Sequence, residues 1–281
     1  MNLDSQPASN YPTPDLVHYL NQGFENYHVP IQFNVSQFLT MVRRDGIDLD
    51  ASRVLLADGT PSGVALIARR GWTSRLAAMG ISSGMRGKGA GTWFMKGLIR
   101  EACERGDDEM VLEVIEQNEP AVALYKRSGF EIVRRLVGFE KSETSNPPHE
   151  ESDAKTLEEI ELQQAGDLIS QFGLPNLPWQ LSGKTIALLN PPVRAYKNGP
   201  AYAVISNPDA EHIVVWSVLV EPNARGNHLG VQMLKDVIAR HDGKTWHAPA
   251  IFPEEFTKLF EQAGFKKETL SQWQMKLVIE P

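Results

Sequence analysis

Apolar positions recur at helical spacing twice near the start of the chain, over residues 16–27 and again over residues 35–44. Asn34 stands directly before the second segment, where an N-cap residue is expected. Three apolar runs follow, SRVLLAD, SGVALIARR and SRLAAMGIS, and turn sequences such as DGTPSG separate them. Short apolar runs broken by turns are typical of consecutive antiparallel strands. The pattern therefore predicts two amphipathic helices and then a group of strands.

After the third run the pattern alternates between helix and strand. The segment TWFMKGLIREACERG has helical periodicity and ends at Gly106, a typical helix stop. It is followed by a buried strand MVLEVIE, a short helix NEPAVALYKRSG that Gly129 ends, and a closing strand FEIVRRLVGFE. With a short first strand near the N-terminus, the predicted order is four strands, helix, strand, helix, strand.

The same order recurs beyond a Ser-, Pro- and Glu-rich segment, KSETSNPPHEESDAKT, which is typical of an interdomain linker. The second half has a helix near 157–172, strands YAVIS and HIVVWSVLV, a helix GVQMLKDVIARH, a strand TWHAPAIF, a helix PEEFTKLFEQAG and a final strand. We infer an internal repeat, with domains 1–142 and 157–281 and a linker 143–156. The Pro-rich stretch GLPNLPWQLSGKTIALLNPPVR has no assignment from its pattern, and the second domain departs from the first there.

Composition narrows the class of protein. Of 281 residues, 42% are hydrophobic, which is enough for two cores, and the formal charge of -7 argues against a nucleic acid partner. The single cysteine, Cys103, cannot form an intramolecular disulfide, and its helical surroundings predict a core position. The sequence offers no cysteine cluster for a metal and no run of eighteen apolar residues for a membrane span. We therefore expect a soluble, cytoplasmic protein without a metal.

The stretch MRGKGAG, residues 85–91, holds three glycines and two cations between a predicted strand and a predicted helix. Glycines let a backbone approach a ligand closely, and a helix N-terminus directs N–H groups and a positive dipole toward it. This arrangement suits a pyrophosphate, although a glycine-rich turn taken alone is more often a plain loop. The spacings of the dinucleotide and P-loop signatures are absent from the sequence, so both of those alternatives are weak.

A second group of residues, LEVIEQNEPAVALYKRSGF, changes this assessment. RGKGAG follows the pattern [RQ]-x-x-G-x-[GA], and N-x-x-A-x-x-L-Y-x-x-x-G-F is matched by Asn118, Ala121, Leu124, Tyr125, Gly129 and Phe130. Together the two motifs resemble the GNAT superfamily of N-acetyltransferases over roughly residues 16–140. The resemblance implies an α/β fold of two tandem GNAT (acyl-CoA N-acyltransferase) domains, each a mixed, mainly antiparallel sheet flanked by helices. It also implies acetyl-CoA (coenzyme A) as co-substrate.

The resemblance implies positions for the cofactor-binding residues. The strand through Met79, Gly80 and Ile81 would diverge from the strand MVLEV and hold the pantetheine arm in the gap. The turn would bind the pyrophosphate, with positive charge from two of its members; its residues are Arg86, Gly87, Lys88, Gly89, Ala90 and Gly91. Asn118 would contact the pantetheine or the thioester end, although a helix N-cap is the simpler role for this residue.

Amide formation requires an amine with a pKa near about 10 to lose a proton and the leaving thiolate to gain one. The resemblance implies Tyr125 as the proton donor, and a backbone N–H near Ile81 would bind the oxyanion. Glu113 is the candidate base, because some members with this pattern use a glutamate there. The alternatives are an aromatic packing role for Tyr125, and for Glu113 a solvent-facing position with a water as base.

The second half has lost the residues that would do this chemistry. Aligning ARGNHLG with MRGKGAG sets His228 opposite Gly89. At the positions of Glu113, Asn118 and Tyr125 the second half has, in turn, Ala248, Pro253 and Phe260. We therefore interpret residues 157–281 as a degenerate GNAT-like domain. His228 is a lone histidine in a loop, and HDGKTWH lacks a metal-binding spacing.

The leading hypothesis is an acetyl-CoA-dependent N-acetyltransferase that acts on a primary amine by direct attack in a ternary complex. A non-catalytic acyl-CoA-binding sensor or scaffold is the alternative, and transfer to a hydroxyl or of a longer acyl chain also stays open. The acceptor would be a small-molecule or peptide amine, a lysine included. Its pocket walls would include Phe24, Tyr27, His28 and Trp72, unless these pack in the core or in loops. The oligomeric state stays open, and a tandem repeat is compatible with a monomer.

Overall fold

The computed structural model describes residues 1–25, 32–142 and 157–279. Tyr27, His28 and the proposed linker 143–156 lie outside the described residues. The chain divides into two compact units, the first comprising Met1–Arg134 with Trp273–Pro281 and the second comprising Arg135–Gln272. The strand Lys266–Val278 and the strand Glu131–Lys141 therefore each contribute residues to both units.

The first unit is built on a mixed sheet. Its strands, in spatial order, are β1 (Leu3–Pro7), β2 (Ile47–Ala57), β3 (Thr60–Arg70), β4 (Thr73–Ile81), β5 (Glu109–Ile115), the end of β12 (Lys266–Val278) and the start of β6 (Glu131–Lys141). Neighbouring strands from β1 to β4 are antiparallel, and β4 pairs with β5 in parallel. The expected short strand near the N-terminus is confirmed as β1.

Four helices flank this sheet: α1 (Thr13–Gly23), α2 (Val35–Asp45), α3 (Ala90–Glu104) and α4 (Glu119–Arg127). The predicted cap of α2 is confirmed, because Asn34 Oδ1 accepts from Gln37 N at 2.9 Å and Gln37 Oε1 accepts from Asn34 N at 3.0 Å. Gly46 ends this helix in the left-handed region at φ 70°. Helix α1 ends at Gly23, earlier than the sequence pattern predicts.

One apolar core of the first unit lies between the sheet and helices α3 and α4. It contains Phe94, Met95, Leu98, Met110, Leu112, Phe130 and, from the last strand, Met275. The prediction of a core position for Cys103 is wrong, because this residue is exposed. The buried face of α3 is formed by residues at helical spacing, and it ends with Ala102.

The second unit repeats this plan. Its strands include the rest of β6 and β12, together with β7 (Glu158–Ile160), β8 (Arg194–Asn198), β9 (Ala201–Ile205), β10 (His212–Val220) and β11 (Thr245–Pro253). Its helices are α5 (Leu162–Phe172), α6 (Gly183–Ala187), α7 (Leu229–Arg240) and α8 (Thr257–Gln262). Strands β10 and β11 are parallel, whereas β9 pairs with β10 in the antiparallel sense. The expected α/β fold with mixed sheets flanked by helices is therefore confirmed.

The Pro-rich stretch of the second unit lies between α5 and β8, where the first unit has α2 between α1 and β2. It forms a 3-10 turn, Trp179–Leu181, and then the five-residue α6 instead of an eleven-residue helix. Strands β7 and β8 and helix α6 are missing from the sequence-based prediction, which has a helix near 157–172 where the structure has β7 before α5. Within the parts of the chain that the structure describes, none of the helices has the length and apolar character needed to cross a membrane.

Candidate functional site

Strands β4 and β5 pair over only part of their length. The parallel ladder runs from Thr73 opposite Glu109 to Leu76 opposite Leu112, whereas β4 continues to Ile81 and β5 to Ile115. On its other edge β4 stays paired with β3 up to Ile81, after one bulge residue, Ala77. Beyond Leu76, the edge of β4 that faces β5 is therefore open. Met79, Gly80 and Ile81, the residues expected beside a pantetheine arm, lie on this stretch.

Helix α1 packs on the same end of β4 through two glycines. A Cβ added to Gly23 would lie 2.5 Å from Gly80 Cα, and one added to Gly80 would lie 2.8 Å from Gly23 Cα. No real Cβ tolerates such distances from backbone atoms, so both positions require glycine. The C-terminus of α1 is thus held directly against the backbone of β4, next to the open edge.

Arg86 fixes this arrangement through backbone carbonyls. Its Nε donates to Ile81 O at 3.0 Å, and its Nη2 donates to Gly23 O at 2.8 Å and to Glu25 O at 3.2 Å. The guanidinium therefore ties the glycine turn to the end of β4 and to the end of α1. The sequence did not indicate this positioning role. The expected contribution of the Arg86 charge to a pyrophosphate site stays a prediction.

The glycine turn leads directly into α3. Gly87 and Gly89 have φ angles of 74° and 83°, and a Cβ at either position would meet nothing within 4 Å. Gly89 is the N-cap of α3, and Lys88 between the two glycines is exposed. The first N–H groups of a helix have no intrahelical acceptor and carry a partial positive charge. The turn therefore presents open space, N–H donors and two exposed cationic residues, Arg86 and Lys88, in the same place.

Helix α4 packs against the turn and carries two of the expected site residues. A Cβ on Gly91 would contact the side chains of Leu124 at 3.4 Å and Ile81 at 3.5 Å. Asn118 caps α4 by accepting from Ala121 N at 3.4 Å, so its N-cap role is confirmed. Its side-chain NH2 group makes no hydrogen bond with the described residues.

Tyr125 lies one residue beyond Leu124 on this helix and is 8% exposed. Its ring packs edge-on against Phe130, with 5.9 Å between centroids and 62° between planes. The expected aromatic packing role is thereby confirmed. It leaves the phenol on the helix that borders both the turn and the end of β4.

Glu113 on β5 forms an ion pair with Arg75 on β4. Nε and Nη2 of Arg75 both approach Glu113 Oε2 at 2.8 Å, and the two side chains are 5% and 3% exposed. The solvent-facing alternative for Glu113 is therefore wrong. Leu76 and Leu112, the neighbours of this pair along the strands, lie in the core with α3. Because side chains alternate along a strand, Arg75 and Glu113 belong to the opposite face of the sheet.

The ion pair belongs to a larger charged group that includes the end of α2. Arg75 Nη1 lies 3.6 Å from Asp45 Oδ2, and Arg44 Nε lies 2.7 Å from Asp45 Oδ1. Burial lowers the pKa of Arg70 to about 10, with Asp45 acting to raise it and Arg75 to lower it. Sequence reasoning missed this group, although an arginine inside the apolar strand SRLAAMG was a usable signal.

The second unit reproduces the backbone geometry of the turn. Arg225 Nε donates to Val220 O at 3.1 Å, and its Nη2 donates to Phe172 O at the end of α5. Gly226 and His228 have φ angles of 83° and 55°, close to those of the two glycines in the first turn. Strands β10 and β11 likewise pair only from His212–Val214 to Thr245–His247 before the ladder ends, and β10 has one bulge residue, Trp216.

The side chains of the second unit differ where the first unit has its candidate chemistry. Phe260, at the position of Tyr125, is fully buried and stacks on Phe139 with 4.4 Å between ring centroids. Pro253 stands in place of Asn118 at the end of β11, and Ala248 in place of Glu113 is buried. A phenol, a primary amide and a carboxylate are thus replaced by groups that cannot exchange protons.

Residues 21–130 match the Acetyltransferase (GNAT) family. The first unit carries a GNAT acetyltransferase domain. Streptothricin acetyltransferase of Streptomyces lavendulae is 36% identical over 90 residues, which cover 31% of this chain and 48% of that relative. The chain therefore spans about half the length of this curated relative.

Solved structures extend the GNAT fold over the whole chain. A GCN5-related N-acetyltransferase from Sphaerobacter thermophilus superposes with a TM-score of 0.70 at 14% identity, over 99% of this chain and 96% of its own. A tandem GNAT protein from the clavulanic acid biosynthesis pathway gives a TM-score of 0.64 at 13% identity, over 100% and 99% of the two chains. At such low identities the likeness concerns the fold alone.

The histidines of HDGKTWH have structural partners. His241 Nε2 lies 3.1 Å from Tyr196 Oη, and His247 Nε2 lies 3.1 Å from Glu268 Oε1. Over residues 1–25, 32–142 and 157–279, the structure brings together no group of three or more His, Cys, Asp or Glu side chains suited to a metal ion.

Proposed function

We propose that the first unit is an acetyl-CoA-dependent N-acetyltransferase that transfers an acetyl group to a primary amine by direct attack in a ternary complex. One observation carries the proposal. The open edge of β4, from Met79 to Ile81, is followed by a single 3-10 turn, Ser83–Met85, and then by a glycine turn at the N-terminus of α3. An extended amide chain fits the first feature and a pyrophosphate fits the second.

The residues suit coenzyme A as follows. Backbone groups of Met79, Gly80 and Ile81 would hydrogen-bond the pantetheine arm, and the turn from Arg86 through Gly91 would bind the pyrophosphate. The open space beside Gly87 and Gly89 supports this, because phosphate oxygens can approach the backbone there. Lys88 would supply mobile positive charge, whereas Arg86 would hold the turn in shape. The free NH2 group of Asn118 would donate to the pantetheine.

Tyr125 is the proposed acid. A phenol has a reference pKa of about 10 and can give its proton to a leaving thiolate of comparable basicity. Its helix borders the glycine turn through Leu124, which supports a position close to the thioester end. A backbone N–H near Ile81, on the open edge of β4, would stabilise the oxyanion.

Glu113 is the proposed base. It lies one residue beyond the last pair of the β4–β5 ladder, where the gap between the strands opens. Arg75 orients the carboxylate through Oε2, and a water between Glu113 and the amine is the alternative acceptor of the proton. The pH profile of kcat/KM separates these cases, because Glu113→Gln removes the acidic limb only if the carboxylate itself takes the proton.

The acceptor class is proposed from the family relationship. The relative from Streptomyces lavendulae is a streptothricin acetyltransferase, which favours a small-molecule amine and places streptothricin first in a substrate panel. Peptide N-termini and lysine side chains complete the panel. The formal charge of -7 on the whole chain favours a cationic acceptor.

Release of free thiol from acetyl-CoA with the amine panel tests the proposal. We expect turnover with at least one amine, and Tyr125→Phe should lower kcat by roughly 100- to 10,000-fold, the range of general acid catalysis. Tyr196→Phe, the same change in the second unit, is the matched control and should keep the wild-type rate. A full rate in Tyr125→Phe would remove the acid role. Acetyl-CoA binding without turnover of any amine would favour the sensor instead.

A further inference from the structure

The second unit contains a cavity of about 550 Å³ in the gap between β10 and β11. One wall is the end of β10, the second is the turn from Ala224 to Val231 with the start of α7, and the third is formed by α8. The volume is within the range of drug-sized ligand sites, which is about 300–1,000 Å³. The second unit has Ala248 and Phe260 where the first unit has its proposed base and acid, so this cavity lacks the residues proposed for proton transfer.

The lining of this cavity is mainly apolar. Part of the lining comes from elements that both units share, namely β10, β11 and the α8 region, and consists of Trp216, Val218, Phe252, Phe256 and Leu259. Leu174, Leu177 and Leu181 come from the Pro-rich stretch, which replaces the second helix of the repeat. Burial of apolar ligand surface against such walls contributes roughly 25 cal/mol per Å². The cavity therefore favours a largely apolar ligand.

The ligand also needs an amide or an equivalent polar group. Beyond Val214 and His247 the parallel ladder between β10 and β11 ends, although the strands continue to Val220 and Pro253. The edges that face the gap carry backbone N–H and C=O groups, and such groups are costly to bury without a partner. An extended chain with an amide can satisfy them as an added strand does.

The charges around the cavity do not favour a polyphosphate. Asn227 takes the place of Lys88 and donates to Ala224 O at 3.3 Å, and Arg225 donates to two backbone carbonyls. His228 places a side chain where Gly89 leaves open space. The remaining charged lining residues, Glu255 and Lys258, have opposite signs. The surroundings are therefore close to neutral overall.

We propose that this cavity is a binding site for a neutral, largely apolar small molecule that carries an amide group. The apolar part contacts the leucines of the Pro-rich stretch and Trp216, and the amide pairs with the open edges of β10 and β11. The site is independent of the transfer reaction proposed for the first unit. A failure of the probe to bind at this cavity and a failure of acetyl transfer in the first unit can therefore be observed separately.

The probe is N-octanoylethanolamine, a neutral amide with an apolar chain, and the readout is tryptophan fluorescence during titration. We expect saturable quenching that Trp216→Phe abolishes. Val218→Phe fills the cavity and should weaken binding at least tenfold by calorimetry. Met79→Phe, the equivalent change in the first unit, is the matched control and should leave the affinity for this probe unchanged.

Leu174→Asp is the second variant, because Leu174 is only partly buried and lines the cavity from the Pro-rich stretch. It should also weaken binding at least tenfold, with a thermal midpoint close to that of the wild type. Absence of saturable binding to the wild-type protein would overturn the proposal. The proposal would also be overturned if octanoyl-CoA bound at the Trp216 site at least tenfold more tightly than the amide probe, since this would show that phosphates are recognised there.

Discussion

Arg86 and Lys88 lie two residues apart in one turn, but their charged groups have different surroundings. Both residues are exposed, but the guanidinium of Arg86 donates to the carbonyls of Ile81, Gly23 and Glu25, whereas the ammonium of Lys88 has no hydrogen-bond partner among the described residues. The same pattern in the second unit, where Arg225 bonds to Val220 O and Phe172 O, shows that this arginine belongs to the framework of the repeat. Its appearance in a binding motif does not by itself assign it to the ligand.

Substitution separates the two roles. Arg86→Met should lower the free energy of unfolding by about 1–2 kcal/mol, because charged donors to carbonyls are lost. Lys88→Met should leave unfolding unchanged and weaken coenzyme A about tenfold, which corresponds to the loss of a charge-assisted contact of roughly 1.4 kcal/mol. Urea unfolding and calorimetry at two salt concentrations measure both effects. Equal loss of stability in the two variants would contradict the assignment.

The ion pair between Arg75 and Glu113 predicts a large effect on stability. Arg75→Met leaves the Glu113 carboxylate buried without its main counter-charge, which should cost about 3–5 kcal/mol. The double variant Arg75→Met, Glu113→Gln should recover part of this loss, because the second change removes the buried charge that Arg75 compensated. Urea unfolding of the single and double variants checks the prediction.

Arg100 provides the control for this measurement. It pairs with Glu104 at 3.6 Å on α3, and the two side chains are 71% and 65% exposed. Exposed pairs of this kind contribute about 0.3–0.5 kcal/mol, so Arg100→Met should have little effect. If Arg75→Met and Arg100→Met lowered stability equally, the buried pair would have no special importance.

His241 predicts a dependence of stability on pH in the second unit. Burial lowers the pKa of His241 below its ordinary value of 6.5, and Arg240 lowers it further. Nε2 of His241 lies 3.1 Å from Tyr196 Oη, where a neutral ring nitrogen can accept a hydrogen bond from the phenol. The unfolded chain binds a proton at this histidine more readily than the folded chain does. Neutral His241 therefore contributes to the free energy of unfolding above about pH 6.5, and this contribution is lost as the pH falls below that value. From about pH 7.5 to 5.5 the thermal midpoint of the wild type should fall more than that of His241→Gln.

At the scale of elements, the contact between α1 and β4 decides where the candidate site can form. Gly23 and Gly80 let the end of the helix touch the strand backbone, and Arg86 bonds to both elements beside this contact. The helix end is therefore held next to the open edge of β4. A change in this spacing would alter the gap in which the pantetheine is proposed to bind.

Gly80→Ala tests this packing. The added Cβ would lie 2.8 Å from Gly23 Cα, so the helix must move, at a cost of about 1–3 kcal/mol. Gly97→Ala in α3 is the control, since its Cβ would meet nothing within 4 Å, and it should stabilise by about 0.5–1 kcal/mol. Urea midpoints of the two variants should shift in opposite directions. Shifts of the same sign would contradict the close contact.

The elements that sequence patterns predict well are those with a complete local signal. Helix α2 has an apolar face, a capping box at Asn34 and a glycine at its end. Strand β8 and helix α6 are five residues each, which is too short for a periodic pattern to register, and prolines surround α6. The position of α6 depends on packing against α5, because Gly183 on α6 lies close to the backbone of Gly166 on α5.

At the scale of the whole molecule, the compact units do not coincide with continuous stretches of the chain. The first unit takes Trp273 and the residues after it from the far end of the sequence, and Met275 is fully buried in its core. The second unit takes its part of β6 from the first half. The boundaries predicted from the sequence, 1–142 and 157–281, follow the order of the repeated elements along the chain. The two compact units instead group the residues that pack together.

A fragment of residues 1–142 should therefore be less stable than the first unit in the full chain. It lacks Met275 and Ile279, which belong to the core cluster, and the strand segment beside β5. We expect a lower thermal midpoint and binding of a hydrophobic dye, which reports exposed apolar surface. A variant of the full chain with a protease site within 143–156 is the control and should keep its midpoint after cleavage. An equally stable isolated fragment would contradict the prediction.

The sequence by itself determined the repeat, most helices and strands, the glycine turn and the family resemblance. These are local signals, set by periodicity, capping residues, turn residues and motif spacing, and each lies within a short stretch of chain. Tertiary structure alone decided that Arg86 bonds to α1 and β4, that Arg75 pairs with Glu113, and that the last strand completes the first unit. It also decided that the Pro-rich stretch lines a cavity. These features depend on contacts between residues far apart in sequence, which no local pattern records.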